Sequence, residues 1–209
     1  RGHFWRVDAE NDAGLPRNFR TCQSSFHGVE HKYASEVDPS YVPSRKGLDD
    51  LRISGSGQFS ARQFDALVHE LRKKTRGPIY DVDLRQESHG FFNGTAISWY
   101  GRHDWGNIGK SQAEVLIDEQ QRLQAALGTD VTVYDQGKGD LPVHPQIMTV
   151  RRVQTEQELA ESKGVHYVRL ASTDHLWPTP GEIDAFLAFV RTLPDDAWLH
   201  FHCEAGAGR

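Results

Sequence analysis

Cysteine is nearly absent from this sequence: Cys22 and Cys203 are the only two among 209 residues. That scarcity excludes a disulfide-built scaffold. It leaves either a reversible Cys22–Cys203 bridge or, more simply, a buried and unpaired Cys22. Long apolar runs are missing too, and no stretch approaches the length of a membrane span. The chain opens on Arg1 rather than Met and carries no signal-peptide pattern, so it reads as a mature or trimmed chain. An excess of positive charge is also lacking. A net charge of −5 excludes a general nucleic-acid binder and, taken as a sum, does not favour a polyanionic ligand, although local clusters count for more. Eleven histidines occur, but without an H-E-x-x-H or a paired C-x-x-C spacing, so neither a metal nor another cofactor is expected. There are no internal repeats and no low-complexity segments, and the length suffices for one sizeable core with a small appended module.

What is present is concentrated in the last eight residues, His202-Cys203-Glu204-Ala205-Gly206-Ala207-Gly208-Arg209. The spacing is H-C-x5-R, with two glycines in the interior. Residues Glu204, Ala205, Gly206, Ala207 and Gly208 are expected to curl their N–H groups around an anion, the glycines permitting the sharp turn. Arg209 closes the ring with a bidentate fork. Cys203 sits at the base, its thiolate favoured by the same positive field. Trp198-Leu199-His200-Phe201-His202 reads as the buried strand that leads into this loop. His200 and His202 share one face of it and are expected to pack or to orient the loop. The alternative reading of Cys203 is a structural cysteine at the end of a core strand.

Residues 1–58 are rich in Gly, Pro, Ser and Asp and read as irregular or short-stranded. Ser60-Ala61-Arg62-Gln63 is a capping-box pattern, and Phe64, Leu67, Val68 and Leu71 follow at helical spacing, predicting a helix over 61–74. A strand over 79–84 and a hairpin turning at Asn93-Gly94 come next. Ser111-Gln112-Ala113-Glu114 opens a helix that Gly128 closes. Strands are expected at 131–134, 147–150 and 167–170, with Gly137-Lys138-Gly139-Asp140 as a loop. Thr155 caps a short helix ending near Gly164. Thr179-Pro180-Gly181-Glu182 opens another, with Ile183, Phe186, Leu187 and Val190 as its apolar face. Alternating strands and helices predict an α/β architecture. The domain reading is a core of residues 1–128 and 156–209, with 129–155 as a β-rich insertion that forms a small barrel with part of the N-terminal segment.

A thiolate that displaces an alkoxide from phosphorus needs a positioned acid. Asp174 follows a predicted strand, precedes a capped helix and lies 29 residues before Cys203. A strand–loop–helix–strand unit returns it to the carboxyl ends of the strands, beside the cradle. Its alternative is an ordinary loop or capping residue. Lys138 and Arg102 are candidate cations for a highly charged ligand, against the alternative of solvated surface charge. Trp105 and Trp177 are expected to pack loops.

The signature Cys203–Arg209 loop resembles that of the protein tyrosine phosphatase superfamily. Its Glu-Ala-Gly interior is similar to the bacterial cysteine phytases, which are protein-tyrosine-phosphatase-like inositol polyphosphate phosphatases. Segments Pro16–Arg20, Asp83–His89, Trp99–Trp105 and Thr173–Pro180 agree with that branch. The resemblance implies an α/β phosphatase core with a small partial β-barrel. It implies metal-independent, stepwise removal of phosphates from myo-inositol hexakisphosphate, with Cys203 as nucleophile, Asp174 as general acid and Arg209 as clamp. His175 would contact substrate phosphate, and Arg20 and Asp104 match positions that line the family's pocket. The partner would be a small inositol phosphate, with no nucleic acid and no membrane span. A bacterial secreted or periplasmic location, or delivery into a host cell, goes with the family. So does a C-terminal segment past Arg209, opening with Ser or Thr and continuing as a long helix, without which little activity is expected. A phosphotyrosine or phosphoinositide phosphatase remains an alternative. An inactive inositol-phosphate-binding module is another, though the presence of both Cys203 and Asp174 speaks against it.

Overall fold

In chain order the elements are β1 (Phe4–Ala9), β2 (Arg20–Thr21), β3 (Ile53–Ser56), α1 (Ala61–Arg72), β4 (Ile79–Arg85), β5 (His89–Phe92), β6 (Thr95–Tyr100) and a 3₁₀ turn (Arg102–Asp104). They continue with α2 (Gln112–Ala126), β7 (Asp130–Gln136), β8 (Pro142–Thr149), β9 (Val153–Gln154), α3 (Glu156–Ser162), β10 (His166–Ser172), α4 (Pro180–Arg191) and β11 (Trp198–His202). This computed structural model describes residues 2–26 and 34–209; Arg1 and positions 27–33 of the expected irregular N-terminal part lie outside the described residues.

The strands form two sheets, ordered β8-β7-β1-β6-β5-β9 and β10-β4-β11-β3-β2. In the second, β10, β4, β11 and β3 run parallel, and β2 is antiparallel to β3. β11 therefore lies between β4 and β3, and the loop that follows it leaves from the centre of the parallel sheet, where ligand sites of α/β folds collect. In the first sheet, β7 pairs parallel with β1 and antiparallel with β8, while β1 pairs antiparallel with β6. The strands of the 129–155 segment thus share one sheet with the N-terminal strand and with the β5–β6 hairpin. The architecture is α/β, with sheets flanked by helices. Among the described residues no helix is long and apolar enough to cross a membrane.

Among the described residues all four α-helices begin with a complete capping box: Ser60 with Gln63, Ser111 with Glu114, Thr155 with Glu158 and Thr179 with Glu182. Each satisfies two otherwise orphaned backbone donors. Phe64, Leu67 and Leu71 of α1 are buried with Phe59, Ile79, Leu159, Val165 and Trp198. A second cluster gathers Phe92, Ile97, Leu123, Ala126 and Val150. α4 departs from expectation. It forms where the pattern placed it, but its apolar face stays open, with Ile183 at 46% exposure and Leu187 at 43%.

Polar residues occupy much of the interior. Alternation along β4 turns Asp81, Asp83 and Arg85 inward, all at most 1% exposed. Asp83 and Arg85 tolerate burial because opposite charges answer them, whereas the Asp81 carboxylate oxygens have no hydrogen-bond partner and burial, with Glu156 beside it, pushes its carboxyl up. Asp83 pairs with His89 (2.7 Å) and Arg169 (3.5 Å), and Glu119 accepts from Arg169 at 3.1 Å. Removing one member would leave a buried charge without compensation.

Candidate active site

The peptide after β11 curls as the spacing requires. Cys203 is 3% exposed, and the Gly206 N–H donates to its Sγ at 3.1 Å. Burial pushes the Cys203 thiol up, but the Arg209 guanidinium and the amides of Gly206, Arg209 and Ala207 outweigh it and hold the thiol below its ordinary value. Gly206 adopts φ +76°, and a Cβ built there would run into the backbone of Ser56 and Gly57. Both cysteines are free, and Cys22 is buried, with its thiol directed at the Leu51 carbonyl (2.9 Å).

Arg209 is fixed by Glu87. Its two terminal nitrogens donate to the two carboxylate oxygens at 2.7 and 2.8 Å, and one also donates to the Ser172 carbonyl at 3.1 Å. The remaining Nε has no hydrogen-bond partner and lies 3.5 Å from Asp174 Oδ1. Glu87 in turn accepts from Arg85 at 2.6 Å, Arg85 donates to Asp8 at 2.9 Å, Asp8 accepts from Arg6 at 2.7 Å, and Arg6 meets Asp104 at 3.0 Å. A line of alternating charges thus runs from the loop through β4 and β1 to the 3₁₀ turn.

Asp174 stands across a cavity of about 530 Å³ from the loop, lined by Cys203, Ala205, Ala207, Gly208 and Arg209 on one side and by Asp174, His175, Leu176 and Trp177 on the other. The Asp174 loop is tied to the 3₁₀ turn: Trp105 Nε1 donates to the Asp174 carbonyl at 3.0 Å, and the His103 and His175 rings meet edge-on at 5.8 Å. Trp105 therefore packs as expected. Trp177 does not. It is 93% exposed at the rim of the cavity, because nothing among the described residues covers that side of the loop.

The remaining sequence-derived positions fall elsewhere. Glu204 pairs with Arg17 on the outer side of the loop. Arg20 donates to the Asn18 carbonyl at 2.9 Å and lines a neighbouring pocket with Cys22, Ile53 and Phe201. Asp104 is buried on Arg6, and burial followed by the Glu87 charge raises its carboxyl to about 7. Lys138 lies in the β7–β8 turn and, like Arg20 and Asp104, is not among the residues lining the Cys203 cavity. Arg102 is largely exposed near Asp140.

Several residues of the site escaped the motif search. Glu87, Arg17 and Asn18 touch the loop or its arginine, and Arg85 holds Glu87 from behind. Their signal was membership of the Asp83–His89 and Pro16–Arg20 segments, within which the sequence assigns them no role. His202 is fully buried on Glu156, and His200 bridges Ser54 (2.8 Å) and Ser56 (2.9 Å). Burial and the His202 charge push His200 down to about 3, so it stays neutral. Two groups below the sheet, Asp81-Glu156-His202 and Asp83-His89-Glu156, bring ligand-type atoms within 4.8 Å of each other. They are sealed, and Arg169, His89 and His202 already supply the positive charge a cation would bring.

Comparison with known proteins identifies the family and the fold. The family model for PTP-like phytases, described by inositol hexakisphosphate, matches residues 82–209. A PTP-like myo-inositol phosphatase from Mitsuokella multacida, solved with myo-inositol-(1,3,4,5)-tetrakisphosphate, is 49% identical, with a TM-score of 0.93 over 100% of this chain and 35% of its own. The tandemly repeated PTP-like phytase of that organism matches at 48% identity and the same TM-score and coverage. A PTP-like phytase from Bdellovibrio bacteriovorus matches at 30% identity and a TM-score of 0.67, covering 99% of this chain and 64% of that one. Effector protein hopD2 of Pseudomonas syringae pv. tomato is 31% identical over 194 residues, 88% of this chain and 40% of that protein. The chain therefore spans little more than a third of the Mitsuokella chains and two fifths of the effector. With the Cys203–Arg209 loop leaving the centre of a parallel sheet, a buried carboxylate gripping its arginine and a family match that runs from β4 to the last residue, the chain belongs to the PTP-like phytase family.

Proposed function

We infer that this protein is a phosphomonoesterase that removes phosphates stepwise from myo-inositol hexakisphosphate through a cysteinyl-phosphate. One observation carries the reading: Cys203, Asp174 and the guanidinium of Arg209 line the same cavity, and the Arg209 Nε is without a hydrogen-bond partner. The Cys203 thiolate attacks phosphorus in line as the P–O bond to the inositol oxygen breaks. Arg209 and the loop amides take up charge on the equatorial oxygens. Asp174 gives its proton to the leaving oxygen, which departs as the alcohol. The Asp174 carboxylate then accepts a proton from the water that attacks the cysteinyl-phosphate, releasing orthophosphate and the thiolate. No step is routed through a metal ion. In this reading His175, which lines the same cavity beside the acid, meets substrate phosphate. Family membership and the inositol tetrakisphosphate bound to the Mitsuokella relative support an inositol polyphosphate as the substrate class. Likeness to a bacterial effector supports secretion or delivery into a host cell.

The test is phosphate release from inositol hexakisphosphate set against release from phosphotyrosine, with products followed by ion chromatography. The expected result is a descending series of inositol phosphates and a preference for the polyphosphate. Cys203→Ser abolishes release, and Asp174→Asn slows alkyl phosphates far more than an aryl phosphate with a good leaving group. Release undiminished in Cys203→Ser refutes the thiolate mechanism; equal losses on both esters remove Asp174 from the acid role.

A further inference from the structure

An N-terminal strap lies against the outside of the phosphate loop. Pro16 is buried, the Phe19 ring stacks on His200 (6.3 Å between centroids), and the Arg17 carbonyl accepts from the Gly57 N–H at 2.9 Å. These anchors hold the strap on β3 and β11, and two of its side chains then reach the loop. Arg17 donates to the Glu204 carbonyl at 2.7 Å and pairs with the Glu204 carboxylate. Asn18 Nδ2 donates to the Ala205 carbonyl at 2.7 Å. The Glu204 carbonyl also accepts from the Gln58 N–H at 2.9 Å.

A trans peptide is planar, with its C=O and N–H pointing in opposite directions. Whatever pulls the Ala205 carbonyl outward therefore aims the Gly206 N–H inward, and that N–H is the one on Cys203 Sγ at 3.1 Å. The same holds one peptide earlier, where Arg17 and Gln58 fix the Glu204 carbonyl and so direct the Ala205 N–H. Asn18 has φ +57°, a conformation asparagine tolerates better than most side chains, and its own carbonyl is held by Arg20 at 2.9 Å. Arg20 thus supports the strap from behind.

We propose that Asn18 and Arg17 are positioning residues for the phosphate loop, holding its outer carbonyls so that the amides behind them converge on the anion and on Cys203. The proposal deepens the thiolate reading above and rests on it. It assigns no contact with substrate to either residue.

The experiment uses Asn18→Asp, which keeps the shape but sets a carboxylate against a carbonyl, and Asn18→Gly, which keeps the backbone freedom and removes the amide. Two quantities are read: the pH dependence of Cys203 alkylation by iodoacetamide, resolved from Cys22 by peptide mass spectrometry, and inhibition by orthovanadate. The expected result is alkylation of Cys203 shifted to higher pH and vanadate affinity reduced roughly tenfold to a hundredfold in Asn18→Asp. A smaller change of the same sign is expected in Asn18→Gly, with the thermal midpoint of Asn18→Gly close to that of the parent. A merely structural role would move the midpoint and leave the titration of Cys203 alone. Should Asn18→Asp fail to fold, Asn18→Gly carries the test. Parental alkylation and vanadate curves in the folded variants overturn the proposal. If Cys203→Ser still releases phosphate, it is the thiolate reading that fails. If Cys203→Ser is inactive while the Asn18 variants behave as the parent, the strap proposal alone fails.

Discussion

Gly206 and Gly208 look equivalent in the signature, yet their surroundings differ. Gly206 needs its left-handed φ and has the backbone of Ser56 and Gly57 directly behind it, whereas a Cβ on Gly208 would meet only Asp174 Oδ1, at 3.6 Å across the cleft. Gly206→Ala must push the loop off β3 and take the Gly206 N–H off Cys203. A kcat loss of about 10²–10³, the cost of one preorganised donor, is expected together with a lower denaturation midpoint from the strained φ. Steady-state kinetics beside a thermal melt checks it, and parental kcat contradicts it. At this scale Cys203, Asp174 and Arg209 were legible as neighbours lining one cavity, because their spacing is local or follows one strand–loop–helix–strand unit. Glu87, Arg17 and Asn18 were not. Their roles arise from contacts 122 and 187 positions away in sequence, and no local pattern encodes such a partner.

Helix starts were the most legible elements, since a capping box is closed by residues three apart and needs nothing from the rest of the chain. Thr179 is the informative case, because it caps α4, whose apolar face is only loosely covered. With little tertiary packing to compensate, Thr179→Ala should lower stability by about 0.5–2 kcal/mol. Urea unfolding should show this as a lower midpoint with an unchanged slope; an unchanged midpoint would mean that packing, not the cap, holds the helix start. β1 was harder to see for a physical reason. Its inward positions are Phe4, Arg6 and Asp8, so the alternation that identifies a strand is carried by charged residues and looks like an exposed loop. β4 hides Asp81, Asp83 and Arg85 in the same way, although its intervening aliphatic residues still marked it as a strand.

Across the whole molecule, those buried charges join the two sheets. His89 on β5 lies 2.7 Å from Asp83 on β4 and 3.2 Å from Glu156 on α3, with Glu119 of α2 and the Arg169 guanidinium of β10 each at 3.4 Å. Burial and the positive charges of Arg85 and Arg169 press His89 down, but Asp83, with help from Glu119, prevails and raises it to about 10 from 6.5. A histidine raised on folding contributes stability that is complete below the unfolded value and is lost as pH climbs through the folded one. Thermal midpoints should therefore fall as pH rises from 6.5 towards 10. His89→Gln should cost about 3–5 kcal/mol at neutral pH, by leaving buried carboxylates unpaired, and should flatten that alkaline decline. A decline as steep in the variant as in the parent would assign it to another group. The sequence by itself determined the helices, most strands, the curled Cys203–Arg209 loop and the return of Asp174 to its side, because periodicity, capping and spacing act over a few residues or a single supersecondary unit. Only the tertiary structure decided that charged faces of β1 and β4 turn inward, that Glu87 grips Arg209, and that an N-terminal strap pulls on the outer carbonyls of the loop. Each of those depends on which distant segments share a neighbourhood, and burial makes a charge favourable only when its partner is already there.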